Sequence, residues 1–340
     1  MLRLPAFQLF LPHTLPDALS MLAEDAEHTS VLAGGTDLLP NMKRRQVTPK
    51  RLVSLKHVPG LRSIDVLDHE IRIGSAVNLC EIEEHPLLRQ EAKALCQAVG
   101  QIATVPIRST ATIGGNVCLD TRCEYINQSE LWRKAIGFCK KKDGDICWVA
   151  TSSPRCLAVS STDAAPALSA LSAQVVLSSV RGERVLDLLD LYENDGEKPL
   201  TKQKDELVTQ IRLPRRVGQA SCYWKLRRRG AFDFPLLGVA VAIGCDDEKR
   251  VKHARLVLGA VASRPLLVPL PLELFAKGLD AELIAKVQEA AHALAKPMDH
   301  ADLTLSYRKA MTKTLVALAL REVFGEDMTD DRKRLERQLA

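Results

Sequence analysis

The chain has 340 residues, 46% of them apolar and 26% charged, which excludes a disordered chain and points to two or three packed units. A net charge of only +5, aromatic residues at 4% and no helix-turn-helix, RNP or zinc-finger spacing exclude a nucleic-acid binder. The longest apolar run, Leu236 to Cys245, is about half a membrane-spanning helix, and an N-terminus broken by Pro5, Pro12 and Pro16 carries no secretion signal; a cytoplasmic protein without a membrane segment is expected.

In chain order, an extended start at Phe7 to Leu11 leads into an amphipathic helix, Leu15 to Ala26. A short strand, Thr29 to Ala33, then runs into Gly34, Gly35, Thr36 and Asp37. Adjacent glycines permit positive φ and let consecutive N–H groups face an anion such as a phosphate. Strands are expected at Arg51 to Ser54 and Glu70 to Gly74, with helices at Leu79 to His85 and Glu91 to Val99. A second β-branched run, Ser109 to Asn116 (STATIGGN), ends in Gly114 and Gly115. Two strand-Gly-Gly turns read as two walls of one cleft, able to hold a dinucleotide pyrophosphate although both G-x-G-x-x-G and a Walker A loop are absent.

From Cys118 to Val159 the composition changes, with five of the nine cysteines and two of the three tryptophans. This stretch reads as an inserted, hairpin-like loop turning at Lys140 to Asp145. Strands follow at Ala173 to Leu177 and Glu206 to Leu213, and Pro214 to Gly218 reads as a linker. Three further strands, within CYWKLRRR, LLGVAVAIGC and HARLVLGAV, precede helices at Leu272 to Leu294 and Leu303 to Phe324. Strands then helices imply an antiparallel sheet covered by helices on one face. Thr329 to Ala340 reads as a charged, frayed tail.

Nine cysteines in a reducing compartment favour metal or cluster ligation over disulfides. Cys123, Cys139, Cys147 and Cys156 are spaced C-x15-C-x7-C-x8-C, without the paired knuckles of a zinc site or the short runs of a ferredoxin. Four thiols within one polar loop nevertheless suit an internal staple, by an iron–sulfur cluster or a zinc ion. Cys80, Cys96, Cys222 and Cys245 fall in helix or strand patterns and read as core residues, with Cys118 left as a spare.

Together these residues resemble a known family. Ala33-Gly34-Gly35-Thr36-Asp37 and Thr112-Ile113-Gly114-Gly115-Asn116, with Asp163 in TDAAPAL, Lys225 in CYWKLRRRGAFDFP and Tyr307-Arg308 opening the last helix, are similar to the FAD-binding subunits of the xanthine dehydrogenase family of molybdenum enzymes. The resemblance spans nearly the whole chain. The insert, with its TRCEYINQSELWR segment, is similar to one branch, that of the β subunit of 4-hydroxybenzoyl-CoA reductase, which carries an extra 4Fe-4S cluster.

The resemblance implies an α+β fold with a two-subdomain FAD-binding domain of the PCMH-like, vanillyl-alcohol-oxidase/xanthine-dehydrogenase type and a C-terminal α+β domain. Its implied divisions are 1–56 and 57–217 for the subdomains, 118–159 for the iron–sulfur insert, 218–328 for the C-terminal domain and 329–340 for the tail. It implies noncovalent FAD at Val31, Leu32, Ala33, Gly34, Gly35, Thr36, Asp37, Leu38, Ile102, Thr112, Ile113, Gly114, Gly115, Asn116, Asp163, Val208 and Lys225, and a 4Fe-4S cluster on Cys123, Cys139, Cys147 and Cys156. Both glycine segments would give backbone N–H groups to the pyrophosphate, Asp163 would accept from the cofactor, and Val208 and Lys225 would close the site. Arg122, Lys140 to Lys142 and Arg155 would offset cluster charge and dock an acidic ferredoxin.

The implied function is electron transfer within an oxidoreductase, with no catalytic residue of the chain's own. A ferredoxin-like donor would pass electrons through cluster and FAD to a 2Fe-2S small subunit and a molybdenum-cofactor large subunit, in a dimer of heterotrimers that removes a hydroxyl from an aromatic acyl-CoA. The alternatives are a stand-alone flavin oxidoreductase with a structural zinc loop, and a non-catalytic scaffold.

Overall fold

The computed structural model describes residues 3–338 except 217, 247, 249, 277 and 300, and no side chains beyond 336. Residues 1 and 2 of the first expected subdomain, 217 of the expected linker, 277 of the expected first C-terminal helix, and 339 and 340 of the expected tail lie outside the described residues.

Three sheets organise the chain. The first is parallel, with strand Arg51–Ser54 between Gln8–Phe10 and Thr29–Leu32. Its helix, Leu15–Glu24, starts where Thr14 accepts from the Asp17 N–H, and buries Ala18, Leu19 and Leu22 against Val53 and Leu55. The second sheet is antiparallel, ordered Ile64–Val66, Glu70–Gly74, Leu207–Pro214, Gln174–Ser179, Gly182–Asp187. Its core extends into the helices Leu79–Glu84, Lys93–Gly100, Ile113–Val117 and Ala164–Ala170.

The third sheet, also antiparallel, runs Gln219–Leu226, Leu237–Cys245, Val251–Gly259, Leu266–Val268. Strand Leu237–Cys245 is buried on both sides, which explains its unbroken apolar sequence. Val239, Val241 and Ile243 pack towards the helices Ala281–Leu294 and Leu305–Val323, whereas Ala240 and Ala242 face the core of the second sheet. Small residues on that face let two layers approach closely. Arg308, fully buried, spends its guanidinium on the carbonyls of Leu236 (3.1 and 3.2 Å), Ala260 (3.0 Å) and Met298 (3.0 Å), and so ties the last long helix to the sheet ends. The chain is thus α+β throughout, and its C-terminal antiparallel sheet carries the helices Ala281–Leu294 and Leu305–Val323 on one face.

Three expectations are corrected. Ile113–Val117 is a short helix capped by Thr112, not a strand ending in a turn. The run Leu272 to Leu294 divides into a 3-10 turn, Leu272–Phe275, and the helix Ala281–Leu294. Thr329–Gln338 is a helix and does not fray: Arg332 donates to the Tyr223 carbonyl (3.2 Å) and Glu322 (2.5 Å) and lies 4.2 Å from the centre of the Trp224 ring. Almost no apolar stripe marks this helix: Leu335 packs on the C-terminal core, and Arg332 supplies the polar anchor.

Candidate functional site

The two glycine segments meet. A Cβ on Gly34 would lie 2.1 Å from the Thr110 carbonyl oxygen, and a Cβ on Gly114 2.7 Å from both the Cβ and the carbonyl oxygen of Ser75. Only glycine allows either approach. Val31 and Ala33 lead into the first turn and pack on the N-terminal core; Gly35 takes φ +71°. The N–H groups of Gly34, Gly35, Thr36 and Asp37 donate to no acceptor among the described residues, so a fan of free donors precedes the helix Leu38–Lys43. Such a fan is a nest for an anion.

The second segment differs from the first. The Ile113 and Gly114 N–H groups bond to the carbonyls of Val77 (3.0 Å) and Ser75 (2.8 Å), and Thr112 Oγ1 accepts from the Gly115 N–H (3.2 Å). The residues just before this segment, Thr110 and Ala111, are the ones that pack against the first turn. Asn116 reaches onward, its Oδ1 accepting from Thr162 Oγ1 (2.7 Å) and from the Ala164 N–H (3.2 Å), which fixes Asp163 between them.

Asp163 faces protein on both oxygens. Oδ1 accepts from the Tyr223 hydroxyl (2.7 Å) and Oδ2 from Lys225 Nζ (2.9 Å), which also donates to the Gln101 carbonyl (2.9 Å). Burial raises the Asp163 carboxyl and lowers the Lys225 ammonium, while each partner pulls the other back towards its charged form. The network joins Asn116, Asp163, Lys225 and the segment before Ile102, which rests half-buried on the same core. Val208 is only 3% exposed and lies in that core, beside the bulge at Val176 and Leu177. Tyr223 and Gln101 were missed from the sequence. Tyr223 was legible, since it stands two residues from Lys225 and so shares its side of a strand.

A cavity of about 280 Å³ adjoins Lys225, lined also by Gln101, Cys96, Arg227 and, from the terminal helix, Arg332 and Glu336.

In the insert, all four candidate cysteines are buried and free of disulfides. Cys123, Cys139 and Cys156 share a small apolar cluster with Ile126 and Ala158. Burial first, then the neighbouring thiols, push Cys123 up to about 12; burial likewise pushes Cys156 up to about 11. The Ala158 N–H points at Cys156 Sγ (3.5 Å). Among the described residues no group of three or more His, Cys, Asp or Glu is arranged to hold a metal ion. Four thiols are donors of the type that hold soft metals, but no ready-made ion site is present among those residues.

The insert is not a simple hairpin. It contains a helix, Glu130–Ala135, capped by Ser129, and a tight turn at Cys139 to Lys142. Its expected docking cations are largely spent inward. Lys141 holds Asp120 (2.8 Å), Thr121 (2.8 Å) and the Gly196 carbonyl (2.7 Å); Arg155 bonds to the Asn194 carbonyl; Arg122 pairs with Asp37. Exposed on it are Leu131, Trp132 and Ile146.

No helix among the described residues is long and apolar enough to cross a membrane. Residues 5–216 match the family model described as the FAD binding domain in molybdopterin dehydrogenase, and residues 221–323 the CO dehydrogenase flavoprotein C-terminal domain. Among curated relatives, an aldehyde oxidoreductase FAD-binding subunit of Escherichia coli (strain K12) is 31% identical over 74% of this chain and 80% of its own length. The nicotinate dehydrogenase FAD-subunit of Eubacterium barkeri is 28% identical over 76% of each. A carbon monoxide dehydrogenase chain of Hydrogenophaga pseudoflava shares the fold, with a TM-score of 0.77 over 95% of this chain and 98% of that one at 23% identity.

Proposed function

We propose a function from the premise that the chain belongs to the family of FAD-binding domains of molybdopterin dehydrogenases: it is the flavoprotein subunit of an oxidoreductase complex and acts in electron transfer. The observation that carries this reading is the free donor fan at Gly34 to Asp37, backed by Thr110 and Ala111, within a matched FAD-binding domain. When bound there, FAD supplies one- and two-electron chemistry. The chain's own part is to hold it. The N–H groups of Gly34, Gly35, Thr36 and Asp37 would face the pyrophosphate with Leu32 and Leu38 at the ends of the turn. The Asp163–Lys225–Gln101 network would set the wall beside Ile102, with Val208 behind it.

The finer reading assigns Cys123, Cys139, Cys147 and Cys156 to a 4Fe-4S cluster. Four buried, unpaired thiols gathered in one insert support it, as does an N–H directed at a sulfur, one of the levers on cluster potential. The partners would be a 2Fe-2S subunit and a molybdenum-cofactor subunit, as a cytoplasmic dimer of heterotrimers. A ferredoxin-like donor would meet the insert, where Leu131, Trp132 and Ile146 are exposed, and the complex would reduce an aromatic acyl-CoA in the manner of 4-hydroxybenzoyl-CoA reductase. The divisions at 56, 217 and 328 belong to the same proposal.

The test is the composition of the chain purified without oxygen. About four iron, four sulfide and one FAD per chain are expected. Cys139→Ser should lose the iron and still bind added FAD. Zinc in place of iron would turn the insert into a structural clip, and absence of flavin would remove the electron-transfer reading altogether.

A further inference from the structure

Basic groups converge, short of acid, where the two matched domains meet. Ser172, after the helix Ala164–Ala170, and Arg216, after the strand Leu207–Pro214, come from the FAD-binding match at 5–216; His253 and Arg255, on the strand Val251–Gly259, come from the C-terminal match at 221–323. His253 and Arg255 stand two residues apart and so share one side of their strand. His253 Nε2 accepts from Arg216 Nη1 (3.3 Å) and lies 3.4 Å from Ser172 Oγ. Arg216 also donates to Gln219 Oε1 (3.4 Å) and meets no carboxylate among the described residues. Arg255 Nη1 reaches Asp187 Oδ2 only at 3.9 Å, and its Nε is buried without a partner among the described residues.

The charges act on one another. Burial and then Arg255 lower Arg216, and burial, Arg216 and Arg255 together push His253 from 6.5 to about 4. The charged groups facing the ring are thus the two arginines, with Asp187 behind Arg255 as their nearest acid. Water reaches the cluster, since the Arg255 side chain is 18% and that of Asp187 37% exposed. An anion seated between the arginines would reverse the ring's part: Nε2, now an acceptor, would take a proton and donate to the guest. Three cations against Asp187 then leave the charge that one dianion neutralises.

We propose that Ser172, Arg216, His253 and Arg255 form a site for a doubly charged oxyanion, a phosphate or a phosphomonoester. The site lies at the end of the helix Ala164–Ala170 remote from Asp163, and so away from the wall assigned to FAD. Its ligands come from both matched domains, so the bound ion clips one to the other.

The full chain is titrated with sodium sulfate, which stays dianionic across the range, against sodium chloride at equal ionic strength. Thermal unfolding and the histidine ring protons seen by NMR are the readouts, the His253 signal being the one absent from His253→Gln. Sulfate should bind saturably, raise the unfolding temperature and bring the His253 titration up from about 4 to about 6. Its affinity should therefore climb about tenfold from about pH 7 to about pH 5, because binding takes up a proton. Arg216→Gln should weaken sulfate about tenfold, the loss of one charge-assisted contact. His253→Gln should leave an affinity that does not change with pH. Inorganic phosphate and glycerol 3-phosphate are then compared near neutral pH; saturable binding of either supports the site, and the tighter of the two names its source. An unfolding temperature that follows sulfate and chloride alike, or a His253 titration that sulfate leaves in place, overturns the proposal. The sulfate and chloride comparison on the native chain decides the matter even if the variants misfold.

Discussion

At Gly34 the free donor fan touches Thr110 and Ala111 through bare backbone, because any side chain would enter the Thr110 carbonyl. Gly34→Ala should therefore destabilise the chain by about 1–3 kcal/mol through overpacking and abolish FAD retention. Gly115→Ala, whose Cβ would meet only Thr112 Oγ1 at 3.1 Å, should stay within about 0.5 kcal/mol of the parent. Urea denaturation with bound-flavin absorbance separates the two. Lys225 makes a second residue-scale case. It is fully buried against Asp163, so Lys225→Met leaves a buried carboxylate unpaired except for the Tyr223 hydroxyl. A loss of about 3–5 kcal/mol in the same denaturation experiment is expected, as for other broken buried pairs.

Among the elements, the terminal helix Thr329–Gln338 best separates local signal from tertiary cause. Its sequence, TDDRKRLERQ, is rich in helix formers but offers only one leucine, too narrow an apolar face to dock it by itself. What fixes it is Arg332, stacked on Trp224 and hydrogen-bonded to Tyr223 and Glu322. Arg332→Ala should detach the helix, lower stability by about 1–2 kcal/mol and change Trp224 fluorescence; an unchanged emission spectrum would show the helix is held otherwise. The helix Ile113–Val117 was hidden for the opposite reason. Two glycines in five residues argue against helix by about 1 kcal/mol each, and the cost is offset by the Thr112 cap and by packing of Gly114 on Ser75.

On the scale of the whole molecule, the C-terminal sheet meets the second sheet along a seam where His253 faces Arg216 (3.3 Å) and Ser172 (3.4 Å), with Arg255 on the same side of its strand. Burial and the two arginines depress His253 from 6.5 to about 4. The unfolded chain then takes up a proton between pH 6.5 and 4 that the folded chain refuses. The stabilisation is complete above pH 6.5, is lost as pH falls towards 4, and is flat below. Because the ring is half in contact with water, about 1–2 kcal/mol is at stake. His253→Gln should remove that part of the slope in stability measured across this range, and a slope identical to the native one would exclude the seam as its source.

What was legible in the sequence was whatever depends on local pattern. The β-branched alternation of the third sheet, the apolar spacing of Leu305–Val323 and the glycine pairs follow from backbone sterics and side-chain period, which neighbours in the chain already determine. The family likeness of the two glycine segments was visible on the same grounds. Tertiary structure decided which N–H groups stay free, that Asp163 faces Lys225 and Tyr223, that Lys141 and Arg155 turn inward, and that Arg122 leaves its own loop to hold Asp37. These are contacts between residues far apart in the chain, mostly of buried charge. Their partners are selected by the cost of leaving a charge or an N–H unpaired in a low-dielectric interior, which no local pattern encodes.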